Sequence, residues 1–413
     1  MFFAAALLAA FQFKNWKLNQ YGGDACAVII TGVISFLLFS FLAYKTVFKI
    51  GNHTLNIYQN LEGFSRIDLS IYGYLFMLGI TTFFAALFFI YYLRSVSGGS
   101  LAVMISSYKS LFRADVEQRV PAYVNLSIKM IAFIAYLSSF VFAVQVISKE
   151  YRRKDIVFLY PVLLHIVISL LTANRGELLS LIFAIFVFCY ITEQRKRNWS
   201  IIVINKYIKR AIVAGVIVVI LFWSMAFSMG TANKGVDNNF LLYICNYISG
   251  ALASIDLYLK QGGKACEWFG QETFVTLNNN LSRLFHTTMS NRTLEFRYGN
   301  GYAVVNIYTS FRRFFHDFGL AGVVILSGIQ GFVFTKLYQS IRIKPYYSSV
   351  DFLIAFYCYF IHDCIFMCME DSFYSQDISF SGILRIILFY IIYRLIFLNS
   401  HQSIEFYSEG SQA

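Results

Sequence analysis

Two stretches of this chain put charged side chains where apolar sequence surrounds them. The first is Thr172-Ala173-Asn174-Arg175-Gly176-Glu177, a short turn between two apolar arms. Each arm holds only about 18 residues, barely enough to cross a bilayer, so the turn sits at or just below a membrane surface. An arginine at that depth is costly unless it faces a polar cavity, a counter-ion or a ligand. Arg175 therefore either meets an anionic ligand, with Asn174 beside it as a polar contact, or snorkels to lipid phosphate or pairs with Glu177. The second stretch runs from Asn306 to Gly319 and contains Tyr308, Arg312, Arg313, His316 and Asp317. Guanidinium groups grip phosphate oxygens in a planar, bidentate manner and stay charged at any relevant pH. Two of them beside a His-Asp pair at a membrane edge suit an anionic headgroup and a proton acceptor, with Tyr308 as a further contact. The alternative has the arginines binding lipid headgroups and His316-Asp317 capping the next helix.

The elements that must hold these residues are apolar helices. Of 413 residues, 58% are hydrophobic and 14% charged. A soluble domain carries about 25% charged residues, so the surface of this chain is not that of a water-soluble globule. Three prolines and 19% aromatic residues fit long helices with interfacial aromatic belts. The expected fold is all-α and polytopic, a single membrane domain of ten spans near 1–13, 26–48, 70–93, 125–147, 156–173, 177–192, 211–229, 318–338, 350–369 and 379–398. The net charge of +12 sits in short clusters between these runs. That is the pattern of loops retained on the cytoplasmic side, not of a nucleic-acid-binding surface. Arg152-Arg153-Lys154, Arg195-Lys196-Arg197, Lys206 to Arg210, and Arg342 with Lys344 then all face the cytoplasm, as do both termini. Residues 199–210 read as an interfacial helix. Residues 230–317 form one large external loop, in which Phe274, Leu277, Leu281, Leu284 and Phe285 recur at helical spacing. Residues 240–258 are expected to pack at the interface. No signal peptide, internal repeat or domain linker is expected.

Weaker candidates read mainly as structure. His165 is expected to be a hydrogen-bonded core histidine, and His362-Asp363 with Cys364 and Cys368 to pack. Arg283, Arg292 and Arg297 are expected to be solvated or lipid-facing, and Arg385 and Arg394 to face a partner helix or snorkel. Cys245 and Cys266 share the external loop and could pair. There is no Walker loop, HExxH, GxSxG or Asp-x-Asp motif; Asp115-Val116-Glu117 is a poor substitute. Neither a metal nor another cofactor is expected.

At the two arginine sites the chain resembles the Wzy-type O-antigen and capsule polymerases of bacterial inner membranes. The resemblance is carried by Asn174-Arg175-Gly176-Glu177, by Tyr247-Ile248-Ser249-Gly250, Phe269-Gly270 and Thr273-Phe274 in the long loop, and by Asn306 through Gly319. In layout it covers nearly the whole chain, in motifs about a tenth of it. Where relatives often carry an Arg-Pro pair, this chain has Arg312-Arg313. The resemblance implies a membrane glycosyltransferase that uses no nucleotide-sugar. It would move a growing glycan from undecaprenyl pyrophosphate to a new lipid-linked repeat unit, with the large loop in the periplasm. The implied partners are undecaprenyl-pyrophosphate-linked oligosaccharide as donor and acceptor, membrane lipids and a chain-length regulator protein. Arg175, Arg312, Arg313, Asn174 and Tyr308 would bind substrate, and His316, Asp317 or Glu177 would take the acceptor proton. An O-antigen ligase-like transferase and a flippase of lipid-linked oligosaccharide are the competing readings. Because the polar signal concentrates on one loop and one turn, it favours an enzyme over a flippase.

The topology is testable on intact spheroplasts. A cysteine introduced near Gly270 should react with a membrane-impermeant thiol reagent; reaction only after permeabilisation would put 259–317 in the cytoplasm.

Overall fold

In the computed structural model the described residues are 2, 5–10, 21–51, 67–96, 99–100, 103–108, 120–197, 199–228, 240–262, 266–286, 294–299, 302–303, 306–343 and 350–398. Their helices are α1 (Gly23–Gly51), α2 (Ile71–Ser95), α3 (Ala122–Ser148), α4 (Leu159–Leu171, entered through a 3-10 turn Arg153–Phe158), α5 (Arg175–Lys196), α6 (Ile201–Ser228), α7 (Phe240–Gln261), α8 (Val275–Phe285), α9 (Ser310–Ile343), α10 (Phe352–Phe360), α11 (His362–Ile365) and α12 (Phe380–Ile396). Two short antiparallel strands, β1 (Tyr298–Gly299) and β2 (Tyr302–Ala303), interrupt an otherwise all-α chain.

Six helices among the described residues are long and apolar enough to cross a membrane: Gly23–Thr46, Ile71–Ser95, Ala122–Ser148, Arg153–Leu171, Arg175–Lys196 and Ser310–Ile343. They coincide with the expected spans at 26–48, 70–93, 125–147, 156–173, 177–192 and 318–338. Their outward residues are apolar: Ile30, Ile34, Leu37, Leu38, Phe41 and Leu42 on α1 are all at least half exposed. A surface of that kind is satisfied by lipid, and this is a membrane protein. Of the other expected spans, 1–13 is described only at 2 and 5–10, and most side chains of 211–229 lie outside the described residues. The 350–369 stretch is a shorter apolar helical run, Phe352–Cys368. It comprises α10, α11 and a 3-10 turn (Phe366–Cys368), and a π turn (Phe373–Asp377) follows. The polar His362 and Asp363 open α11. The 379–398 stretch is α12, 17 residues long. The expected interfacial helix at 199–210 is continuous with the next span, as α6.

The chain divides into two compact units, each built from separated stretches. In one (52–232, 341–360 and 388–413), α3 is the central helix, buried along most of its length. A cluster of Phe88, Tyr92, Tyr108, Ile131 and Ile168 packs beside it. The other unit (1–51, 233–340 and 361–387) is built on α9 and has a core of Val28, Ile255, Phe311, Phe314, Val323, Met367 and Tyr374. Here α1 approaches α9 closely. A Cβ at Gly331 would lie 2.4 Å from the Phe36 carbonyl oxygen, and the Ser35 hydroxyl donates to the Val324 carbonyl at 2.6 Å. Small residues with serine bonds are the usual means of close helix contact in lipid. Helix α9 is itself kinked at Gly319, whose φ of 62° and ψ of −156° suit glycine alone. The expected start of this span at 318 falls on that kink. One further turn pair, Ser310–Phe318, precedes it and carries the charged residues.

Gly331→Val should overpack the α1–α9 contact and cost about 1–3 kcal/mol, read as a lower unfolding temperature in detergent. Gly79→Ala, where a Cβ meets nothing within 4 Å, should leave that temperature unchanged.

Candidate functional site

The charged residues of Ser310–Phe318 gather in the α9 unit around one buried cation. Arg312 is only 1% exposed. Its Nη1 pairs with Glu272 Oε2, and its Nη2 donates to both oxygens of Glu295, at 2.9 and 3.1 Å. The guanidinium carbon lies 4.5 Å from the centre of the Tyr258 ring and 4.8 Å from that of Tyr308, so the cation sits between two aromatic faces. The Tyr308 hydroxyl donates to the Glu295 carbonyl at 2.9 Å. Arg297 joins from the β1 side, bonding Glu295 Oε1 at 2.8 Å and the Gly262 carbonyl at 2.9 Å. It packs over the other side of the site, 5.1 Å from the Tyr258 ring. The expectation that Arg297 is solvated or lipid-facing is therefore corrected: it is 13% exposed and ion-paired. Arg283 is exposed, and Arg292 lies outside the described residues.

His316 stands one helical turn from Arg312. Its Nδ1 is 2.8 Å from the Tyr258 hydroxyl, and its Nε2 is 3.6 Å from Glu272 Oε1. Burial pushes the Tyr258 hydroxyl up from its ordinary pKa, so it is protonated at neutral pH and shares a hydrogen bond with Nδ1. When Tyr258 donates, the neutral imidazole carries its proton on Nε2, facing Glu272; in the other tautomer Nδ1–H donates to the hydroxyl and Nε2 is unprotonated. Glu272, His316 and Tyr258 thus form a chain in which each group orients the next.

Asp317 and Arg313 hold the loop against the helix. The Asp317 carboxylate, fully buried, accepts the backbone N–H of Glu272 at 3.1 Å and of Thr273 at 2.6 Å. Arg313 Nη1 donates to the Glu272 carbonyl at 2.9 Å, and the Thr273 hydroxyl donates to the Arg313 carbonyl at 3.2 Å. The turn that presents Glu272 passes through Gly270 at φ 64°, stacked on Phe274. Cys266 Sγ lies 3.5 Å from Asp317 Oδ1, and the donor atoms of Cys266, His316 and Asp317 all fall within 4.8 Å of one another. Against the expectation that Cys245 and Cys266 could pair, both are free thiols.

Asn174, Arg175, Glu177 and His165 lie in the α3 unit. Asn174 is the N-cap of α5, its Oδ1 accepting the Glu177 N–H at 3.4 Å, and Glu177 sits in the first turn, where the helix dipole favours an acid. Ala173 takes φ 54° to close the turn. Arg175 begins the helix and is half-buried. Arg175 and Glu177 thus belong to a different compact unit from Arg312 and His316. His165 is buried as expected, but neither ring nitrogen has a hydrogen-bond partner among the described residues. In the α9 unit, Arg385 pairs with Asp377 at 2.9 Å, and His362 Nε2 lies 3.3 Å from Asp363 Oδ1. The α3 unit holds a cavity of about 260 Å³ lined by Lys149, Glu193, Lys196, Arg197, Lys206 and Arg210. Glu193 gathers Lys206, Arg197 (3.6 Å) and Arg210 (3.8 Å) there. This brings together basic clusters that are separate in sequence.

Sequence reasoning missed Glu272, Glu295 and Tyr258. The only available signal was arithmetical: a buried arginine in an apolar helix needs a carboxylate, and the external loop holds few. No family model matches the chain, and no curated protein or solved structure matches it.

Removing one partner of a buried pair strands the other charge, at a cost of about 3–5 kcal/mol. Glu272→Ala, whose carboxylate is 15% exposed, should lower the unfolding temperature in detergent far more than Glu295→Ala, whose carboxylate is 44% exposed. Equal effects would mean that Glu272 does not hold Arg312.

Proposed function

We propose that this chain is a membrane glycosyltransferase that polymerises undecaprenyl-pyrophosphate-linked oligosaccharide repeat units. It would work at the periplasmic face of the bacterial inner membrane, passing the growing glycan to a new lipid-linked unit. The observation that carries the reading is the pairing of a deeply buried Arg312 with a half-exposed carboxylate, Glu295, at the end of a membrane-length helix. A buried cation kept at a membrane edge is expensive, which favours a functional role. Both oxygens of Glu295 occupy positions on Arg312 Nη2 that suit a phosphate oxygen. Glu295 can leave for solvent while Glu272 stays.

In this reaction the anomeric C–O bond to pyrophosphate breaks and a C–O bond to the acceptor hydroxyl forms. The pyrophosphate leaves with the bonding electrons. As it approaches, it displaces Glu295 and takes up the exposed side of Arg312, so a preorganised cation meets the charge that develops. The acceptor hydroxyl gives its proton through the Tyr258 hydroxyl to His316 Nδ1. Glu272, on the far nitrogen, stabilises the imidazolium that forms, as the buried acid does in a hydrolase triad. Asp317 and Arg313 act by fixing the Glu272 turn. Arg175, at the separate α4–α5 turn, is a second contact for lipid-linked anion.

Gene deletion followed by gel analysis of surface polysaccharide separates the readings. A polymerase loss leaves single-unit capped lipopolysaccharide, a ligase loss leaves none, and a flippase loss strands units inside. Arg312→Ala should cut polymer formation roughly ten- to a hundredfold, the loss of one charge-assisted contact of about 1.5–3 kcal/mol. Arg312→Lys should restore it in part, since an ammonium cannot form the planar fork. Full polymer length in Arg312→Ala at equal membrane abundance would remove this assignment.

A further inference from the structure

Beside the Arg312 pair, donors from Cys266, His316 and Asp317 converge within 4.8 Å of one another, with Glu272 Oε1 close to His316, a grouping that the transferase chemistry does not need. Cys266 Sγ is 3.5 Å from Asp317 Oδ1, His316 Nε2 is 4.0 Å from the same oxygen, and His316 Nε2 is 3.6 Å from Glu272 Oε1. Zinc bonds of about 2.0 Å to nitrogen or oxygen and about 2.3 Å to sulfur set the donors of a tetrahedral site about 3.3–3.7 Å apart. Two of these three edges fall inside that interval and the third exceeds it by a few tenths of an ångström.

The surroundings are those that orient metal ligands. The imidazole nitrogen remote from the site, Nδ1, lies 2.8 Å from the Tyr258 hydroxyl; ligation takes the tautomer in which Nδ1–H donates to that hydroxyl and Nε2 keeps its lone pair for the ion. The Asp317 carboxylate is aimed by two backbone N–H groups. His316 and Asp317 are buried, whereas Cys266 is exposed, so an ion has a route in from solvent. A thiolate with an imidazole and carboxylates selects a borderline-soft d-block cation over magnesium or calcium.

We propose that Cys266, His316 and Asp317 hold a divalent transition-metal ion of the zinc class, with the fourth tetrahedral position open to Glu272 or a water. Binding forms an S–metal bond and releases the thiol proton, and metal uptake is accompanied by proton release. The site stands on donor geometry and does not rest on the transferase reading. Where that reading holds, the ion has one further consequence. It takes the His316 nitrogen that faces Glu272 in the proton relay, so bound metal inhibits transfer.

The test uses the full chain purified in detergent, stripped with chelator and titrated with Co²⁺. One equivalent should bind, giving the near-ultraviolet thiolate-to-cobalt band and the intense visible bands of tetrahedral cobalt. Cys266→Ser should abolish the thiolate band, and Cys364→Ser should leave it intact. Tyr258→Phe, which removes the group orienting His316, should weaken binding about 10–100-fold. Failure to bind one equivalent, or a thiolate band that survives Cys266→Ser, overturns the proposal. Stoichiometric binding without any effect on polymer formation would leave the site standing and count against the use of His316 in transfer.

Discussion

The α9 unit depends on keeping one guanidinium charged in a place with almost no water. Taking a charge out of water costs several kcal/mol even after the protein relaxes, and only good geometry with every donor engaged offsets that. Arg312 meets most of this demand through Glu272 and Glu295, and through the faces of Tyr258 and Tyr308, while its Nε donates to no described residue. Each of those partners comes from a different part of the chain, so burying one cation forces α7, the Glu272 turn, the β1 approach and the start of α9 to assemble. Asp317 and Arg313 serve the same end by tying the turn's backbone to the helix. The kink at Gly319 lets the charged segment leave the line of the apolar span that follows.

The local charge is balanced. Arg297 and Arg312 are paired with Glu295 and Glu272, and Arg313 with the Glu272 carbonyl and the nearby Asp371, so an anionic ligand is not drawn in by an unpaired cation. It must exchange with a carboxylate already present. Glu295 is the exposed member of the set and bonds Arg312 with both oxygens, whereas Glu272 and Asp317 are built into the loop's own backbone bonding. On the proposed reading, such a site would stay satisfied between turnovers, sparing the membrane an uncompensated charge, and become cationic only as the ligand arrives.

How far the sequence revealed this differs by level. The long spans were legible because about 20 apolar residues in a row admit few other readings. Arg312, Arg313, His316 and Asp317 stood out because they interrupt apolar sequence next to a span. The span expected at 350–369 is an apolar helical run, Phe352–Cys368, shorter than the six long helices and changing from α to 3-10 turns past His362 and Asp363. The two glutamates that neutralise Arg312 were not legible, since nothing local distinguishes Glu272 or Glu295 from other loop acids. Only the folded loop brings them to the cation. Arg297 was misjudged for the same reason. The Asn174–Glu177 turn was read for charge, whereas its clearest structural feature is an ordinary N-cap that starts α5.

The central claim is that Arg312 exchanges Glu295 for the pyrophosphate of a polyprenyl-linked glycan. The most direct measurement is the affinity of the purified protein for undecaprenyl pyrophosphate in detergent, for the wild type, Arg312→Ala and Glu295→Gln. The account predicts binding weakened about 10–100-fold by Arg312→Ala and strengthened by Glu295→Gln, because the competing carboxylate charge is gone. Unchanged affinity in Arg312→Ala, or weaker binding in Glu295→Gln, would contradict it.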